Sequence, residues 1–214
     1  MRWQALAVVF GIMLAVNAGR AAEGLVLRLP FDGDYNSTVG EGVAQPFNSP
    51  QFVEGKFGRA VKLEGSACLA HAVPDCVRQG EFTLSFWIKP LWDKDDGVAH
   101  PLLVIPNDPR KRDKIGWGPN EYLLSKGFSD VIAPDYLYGV ANSVCAKQLK
   151  RGEWTHVMVG FSAKEKLRAD YFNGRGGRSA WTPESLDCHG DQLWLGSRGD
   201  KFGGGDFVLG IKLV

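Results

Sequence analysis

Residues 82–90 read FTLSFWIKP. Taken alternately, Phe82, Leu84, Phe86 and Ile88 fall on one face, and Thr83, Ser85, Trp87 and Lys89 on the other. A period of two is the mark of a half-buried β-strand, because successive side chains leave a strand on opposite sides. One residue of the polar face is out of character. Trp87 is either a platform for something the protein binds or a structural residue packed under a loop or beside a neighbouring strand, and the second reading is preferred.

Working outward, short apolar runs recur at 25–31, 60–63, 67–73, 121–125, 136–141, 154–161, 167–172, 192–195 and 207–213. Pro30 places the end of the first run or a sheet edge. Asn173-Gly174 is a strong signal for a tight hairpin turn, since both residues tolerate positive φ. Residues 36–56 read as loop, and 91–118 as mostly long loop around a short apolar run at 102–105. Beyond the N-terminus, no stretch of ten or more residues keeps a helical period, and no repeat or linker interrupts the pattern. With 27 glycines and 7 tryptophans, the chain predicts a single all-β domain.

The N-terminus reads differently. Arg2 precedes an uninterrupted apolar run at 5–16, ALAVVFGIMLAV, and the small residues Ala18, Gly19, Ala21 and Ala22 follow. This run suits the core of a signal peptide and is short for a membrane span. Residues 1–22 are therefore expected to be a signal peptide and 23–214 the domain, with a secreted, periplasmic or extracellular location and no membrane insertion of the mature chain. Losing Arg2 and Arg20 takes Lys+Arg from 25 to 23 against 24 Asp+Glu, so the formal charge moves from +1 to −1. A near-neutral chain lacks the footprint of a nucleic-acid partner. Beyond a signal peptide, the even set Cys68, Cys76, Cys145 and Cys188 suggests disulfides, with Cys68–Cys76 and Cys145–Cys188 the favoured pairing of three.

Several pieces occur in order: Phe31-Asp32-Gly33, Gly55-Lys56-Phe57-Gly58-Arg59-Ala60, FTLSFWIKP, Gly152-Glu153-Trp154-Thr155-His156-Val157, Tyr171-Phe172-Asn173-Gly174 and Leu193-Trp194-Leu195-Gly196-Ser197. Together they resemble the laminin-G-like branch of the concanavalin A-like lectin/glucanase superfamily, over roughly residues 25–198. The resemblance implies a two-sheet antiparallel jelly-roll sandwich. It implies much less about activity, since the superfamily holds lectins, glycosidases and adhesion modules. The chain departs from the family pattern at its end, where only Asp206 precedes the last run.

Glycoside hydrolysis needs two carboxyl groups flanking the bond. No strand here carries acids at the matching spacing. A diverged glycosidase would have to assemble its pair from separate strands, such as Glu121 with Asp170. Asp93, Asp95 and Asp96 read as a solvated loop, and His156 as a packed or hydrogen-bonded strand histidine. Calcium is the one cofactor with candidate ligands, Asp32, Asp34 and Asp206, because hard cations take loop carboxylates. Turn capping by Asp32 and Asp34 is the preferred alternative. Sugars present apolar C–H faces, so exposed loop aromatics are candidate ligand contacts: Trp92, Trp117, Tyr136, Tyr138 and Trp181. Each taken singly is as readily explained as cover for a sandwich edge. The sequence reading is thus a secreted, non-catalytic module recognising a glycan or an extracellular surface component. The alternatives are a diverged glycoside hydrolase and a structural envelope or matrix module.

Overall fold

In the computed structural model, residues 24–93, 96, 100–106, 120–126, 132–133, 149–180, 191–196 and 207–213 are described. The signal-peptide expectation falls outside them. The strand that carries FTLSFWIKP is β6 (Glu81–Pro90), and its side chains alternate as the sequence requires. Phe82, Leu84, Phe86 and Ile88 are all buried, while Thr83, Ser85, Trp87 and Lys89 are half-buried.

β6 lies centrally in the larger of two antiparallel sheets. Before it come β1 (Leu27–Leu29), β2 (Gln45–Phe47), β3 (Gln51–Glu54), β4 (Arg59–Leu63), β5 (Cys68–Ala72) and the short helix α1 (Asp75–Gln79). After it come β7 (His100–Pro106), β8 (Asn120–Lys126), β9 (Ile132–Ala133), β10 (Thr155–Ser162), β11 (Leu167–Phe172), β12 (Arg175–Ala180), β13 (Gln192–Gly196) and β14 (Phe207–Leu213). The larger sheet runs β12-β11-β10-β6-β14-β4-β3, with β1 also paired to β14. The smaller runs β2-β5-β13-β7-β8-β9. The chain is therefore a two-sheet antiparallel jelly-roll sandwich, as its sequence predicts.

The core forms where the two inner faces meet. Leu84, Phe86, Ile88, Val157, Val159 and Phe172 come from the larger sheet, and Leu69, Leu103, Leu193 and Leu195 from the smaller. Full burial of one such side chain contributes about 1.5–3 kcal/mol. Val77 of α1 joins the same cluster, so the helix closes one end of the sandwich. Gly80 ends it in the left-handed region, a C-terminal position suited to glycine.

Several local features differ from the sequence reading, β7 within the 91–118 segment and β12 among them. β2 and β3 form inside the segment read as loop, because their short stretches complete ladders with β5 and β4. α1 forms at 75–79, just past the run read as strand to 73, where the sequence reading places no element. Cys68 and Cys76 are free thiols, which corrects their expected pairing. β5 stays extended, and the Val73 amide continues its ladder by donating to the Asp191 carbonyl. Cys68 opens β5 and Cys76 lies on α1, with an extended strand rising about 3.3 Å per residue between them, whereas a disulfide needs a Cα separation of roughly 4.4–6.8 Å. Cys145 and Cys188 lie outside the described residues.

The β11–β12 hairpin turns at Asn173 and Gly174, both at positive φ, as that dipeptide predicts. Just past the turn, a Cβ on Gly176 would be driven into the Asp170 carbonyl oxygen and would lie 2.7 Å from Tyr171 Cα. A Cβ on Gly177 would meet nothing within 4 Å. Gly176→Ala should therefore destabilise the fold by about 1–3 kcal/mol, the range for forced overpacking. Gly177→Ala should leave the urea midpoint nearly unmoved, and equal midpoints for the two variants would count against this close approach.

Candidate functional site

The outward face of β6 is not plain surface. Antiparallel pairing sets Trp87 of β6 opposite His156 of β10 on one side and opposite Gly210 of β14 on the other. The Trp87 and His156 rings lie 5.2 Å apart. His156 Nε2 and the Ser85 hydroxyl share a 2.8 Å hydrogen bond. His156 is thus a packed, hydrogen-bonded strand residue, as expected, but it packs on the outer face rather than in the core.

A turn between β3 and β4 overhangs this row. The Gly55 amide donates to the Gly58 carbonyl at 2.9 Å and closes the turn. The turn presents Phe57, which is 72% exposed and meets Trp87 edge-on at 5.7 Å. Lys56 from the same turn holds its ammonium 5.3 Å from the Trp87 ring centre, a cation–π contact. Asp32 pins the turn from below: its Oδ1 accepts the Arg59 amide at 2.7 Å.

These groups enclose an open cavity of about 550 Å³. Trp87, Phe57, Trp154 and His156 give it aromatic walls, Ser85 a hydroxyl, and Arg28, Lys56 and Arg59 positive charge. Its volume is in the range of small-molecule sites. Asp32 is the sole carboxylate among the described lining residues. A cavity of this kind can stack an apolar ring face on indole and satisfy polar edges from Ser85, His156 and the cations. Its described lining holds one carboxylate, where glycoside hydrolysis uses a flanking pair.

Burial holds the His156 imidazole below its ordinary pKa of 6.5, because the charged form loses hydration on the sheet face. The unfolded chain then binds more protons than the folded one just below that value, so stability falls as pH drops through 6.5. His156→Gln should remove this part of the acid sensitivity. Urea unfolding at pH 7.5 and 5.5 checks it: the wild type should lose more than the variant, by under about 1.4 kcal/mol per pH unit. An equal loss in both would place the acid sensitivity elsewhere.

The residues expected from sequence fare differently. Trp92 is 5% exposed and belongs to the core, its ring stacked on His100 at 4.7 Å, so the expectation of a ligand contact there is corrected. It sits two residues past the end of β6, where the chain still follows the sandwich interior. Trp117, Tyr136, Tyr138 and Trp181 lie outside the described residues. Asp34 Oδ1 accepts the Asn36 amide at 2.9 Å, so Asp32 and Asp34 both act as turn caps. β1 does pair with β14, but Asp206 lies outside the described residues. Among those residues, no three His, Cys, Asp or Glu side chains are grouped to hold a metal, and no helix is long and apolar enough to cross a membrane.

The acidic loop is not wholly solvated. Asp93 pairs with Arg151 at 2.8 Å, and Asp96 Oδ2 is 2.7 Å from Nε2 of the buried His100. Glu121 and Asp170 stand on β8 and β11, in different sheets. Asp170 opposes the buried Val159 and is bound by Arg168.

No family model and no curated protein matches the chain. Solved structures do. Domain 4 of AbnA, a GH43 extracellular arabinanase from Geobacillus stearothermophilus solved with arabinotriose, aligns at TM-score 0.57 and 17% identity over 88% of this chain and 90% of that one. The receptor-binding domain of botulinum neurotoxin C/D mosaic serotype aligns at 0.58 and 11% over 88% of this chain and 47% of that one. Trypanosoma rangeli sialidase, solved with the inhibitor DANA, aligns at 0.53 and 13% over 79% and 26%. The chain thus spans most of the arabinanase domain but less than half of the other two chains. These likenesses establish the β-sandwich fold.

Proposed function

We propose that this protein is a secreted, non-catalytic recognition module of laminin-G-like type that binds a glycan on the outer face of its larger sheet. The observation that carries the reading is the Trp87–Phe57–His156 arrangement in an open cavity bordered by cations and a hydroxyl. An indole face offers the negative side of its quadrupole to the C–H face of a sugar, and the polar rim offers partners to hydroxyl groups. The arabinotriose-bound neighbour supports a sugar ligand by analogy of fold only.

A glycan array tests it with two variants. Trp87→Ala should abolish the wild-type signal, and Trp117→Ala should leave it. The reverse outcome would move the site to the loop of 91–118. An array on which the wild type binds nothing would favour a structural module.

A further inference from the structure

We propose that the ligand of this cavity is an acidic glycan, a sugar chain carrying carboxylate or sulfate groups. The proposal rests on the glycan reading above and names the chemical class of the ligand.

Several cations elsewhere among the described residues are paired with acids. Lys62 pairs with Glu64, Arg78 with Asp191, Lys150 with Glu153, Arg151 with Asp93 and Arg168 with Asp170. The cavity differs from those pairs. Arg28 and Lys56 line it, and neither has an acidic partner among the described residues. Lys89 stands on the same face of β6, likewise unpaired, with its ammonium 5.2 Å from the Trp154 ring centre. Arg59 adds a third cation to the lining, one guanidinium nitrogen donating to the Phe52 carbonyl. Against these stands Asp32, whose Oδ1 is already engaged by the Arg59 amide.

Position matters as much as number. Cation–π contacts hold Lys56 and Lys89 against the aromatic walls instead of leaving them extended in water. A sugar stacked on Trp87 would bring its substituents within reach of cations that outnumber the one lining carboxylate. Arg28 adds a planar fork suited to the oxygens of a carboxylate or sulfate. The whole chain carries a formal charge of only +1, so this concentration is local and not the face of a generally basic protein.

The test is titration calorimetry with matched probes: oligogalacturonate against its methyl ester, and dextran sulfate against dextran, each in 50 and 500 mM salt. At low salt the charged member of at least one pair should bind about tenfold or more tightly than its neutral partner, and high salt should remove most of that advantage. The pair that shows the preference tells carboxylate from sulfate. Lys56→Gln combined with Arg28→Gln should erase the preference, while Lys164→Gln, on the distant 163–166 turn, should retain it. Melting temperatures confirm that the variants fold. Equal binding of charged and neutral partners, or binding to none of the four, overturns the proposal. So does equally tight binding of duplex DNA, which would mark a general polyanion surface. The glycan reading falls separately, if Trp87→Ala leaves array binding intact.

Discussion

Replacing Asp170 with leucine should cost the fold about 3–5 kcal/mol, the usual penalty for stranding a buried charge. Arg168 is 2% exposed, and its Nε lies 2.9 Å from Asp170 Oδ1 inside the sandwich. The guanidinium also lies 5.7 Å from the Phe161 ring centre, so apolar and aromatic surface surrounds it. Without Asp170 it keeps its charge and loses its anion. A domain of this size has roughly 5–15 kcal/mol to lose, so the variant should sit near the edge of folding at 37 °C. The pair itself adds little net stability, since both charges have been taken out of water. Arg168→Met with Asp170→Leu should therefore restore urea stability to near the wild-type value.

The reverse single variant has a pH signature. Burial raises the Asp170 carboxyl above its ordinary 3.8, and Arg168 pulls it back down. In Arg168→Met only the upward push remains. The penalty for the buried carboxylate is present above its folded pKa and vanishes once the pH falls below the unfolded value, so Arg168→Met should lose less stability at pH 4 than at pH 7. A loss independent of pH would mean that Arg168 matters through packing alone.

Much of the fold was legible because period-2 alternation is a local property. Residues 82–90 show it without interruption, and β6 follows it along its length. Asn173-Gly174 likewise announces its hairpin from two residues. What sequence did not reveal depends on partners. β2 and β3 are only three and four residues long, and they become strands because β5 and β4 offer free edges. The same dependence undid the Cys68–Cys76 pairing, since nothing in the eight-residue spacing says that the intervening chain stays extended.

The site was less legible than the fold. Gly55-Lys56-Phe57-Gly58 marks a turn, but not that the turn folds over Trp87. His156 stands 69 residues from Trp87 in sequence, and only the β6–β10 register joins them. The basic rim is scattered over Arg28, Lys56, Arg59 and Lys89, so it disappears in a near-neutral total. The Trp87 reading was right in one half. The ring packs beneath a turn and beside a neighbouring strand, and it also walls an open cavity.

The largest expected effect on binding is that of Trp87→Ala. Central aromatic anchors in binding sites commonly contribute 2 kcal/mol or more, about 30-fold in affinity. Trp87 also supports His156 and Phe57, so its removal will lower stability as well, and the two losses must be separated. Phe57→Ala separates them. Phe57 is 72% exposed, and an exposed residue of this kind usually changes stability by no more than about 0.5 kcal/mol. Its contact with Trp87 nonetheless forms one wall of the cavity. The most direct measurement is therefore the affinity of Phe57→Ala for the glycan that the wild type binds, taken alongside its melting temperature. The expected result is an affinity at least about tenfold weaker with the melting temperature unmoved. Wild-type affinity in that variant would contradict a binding site on this face.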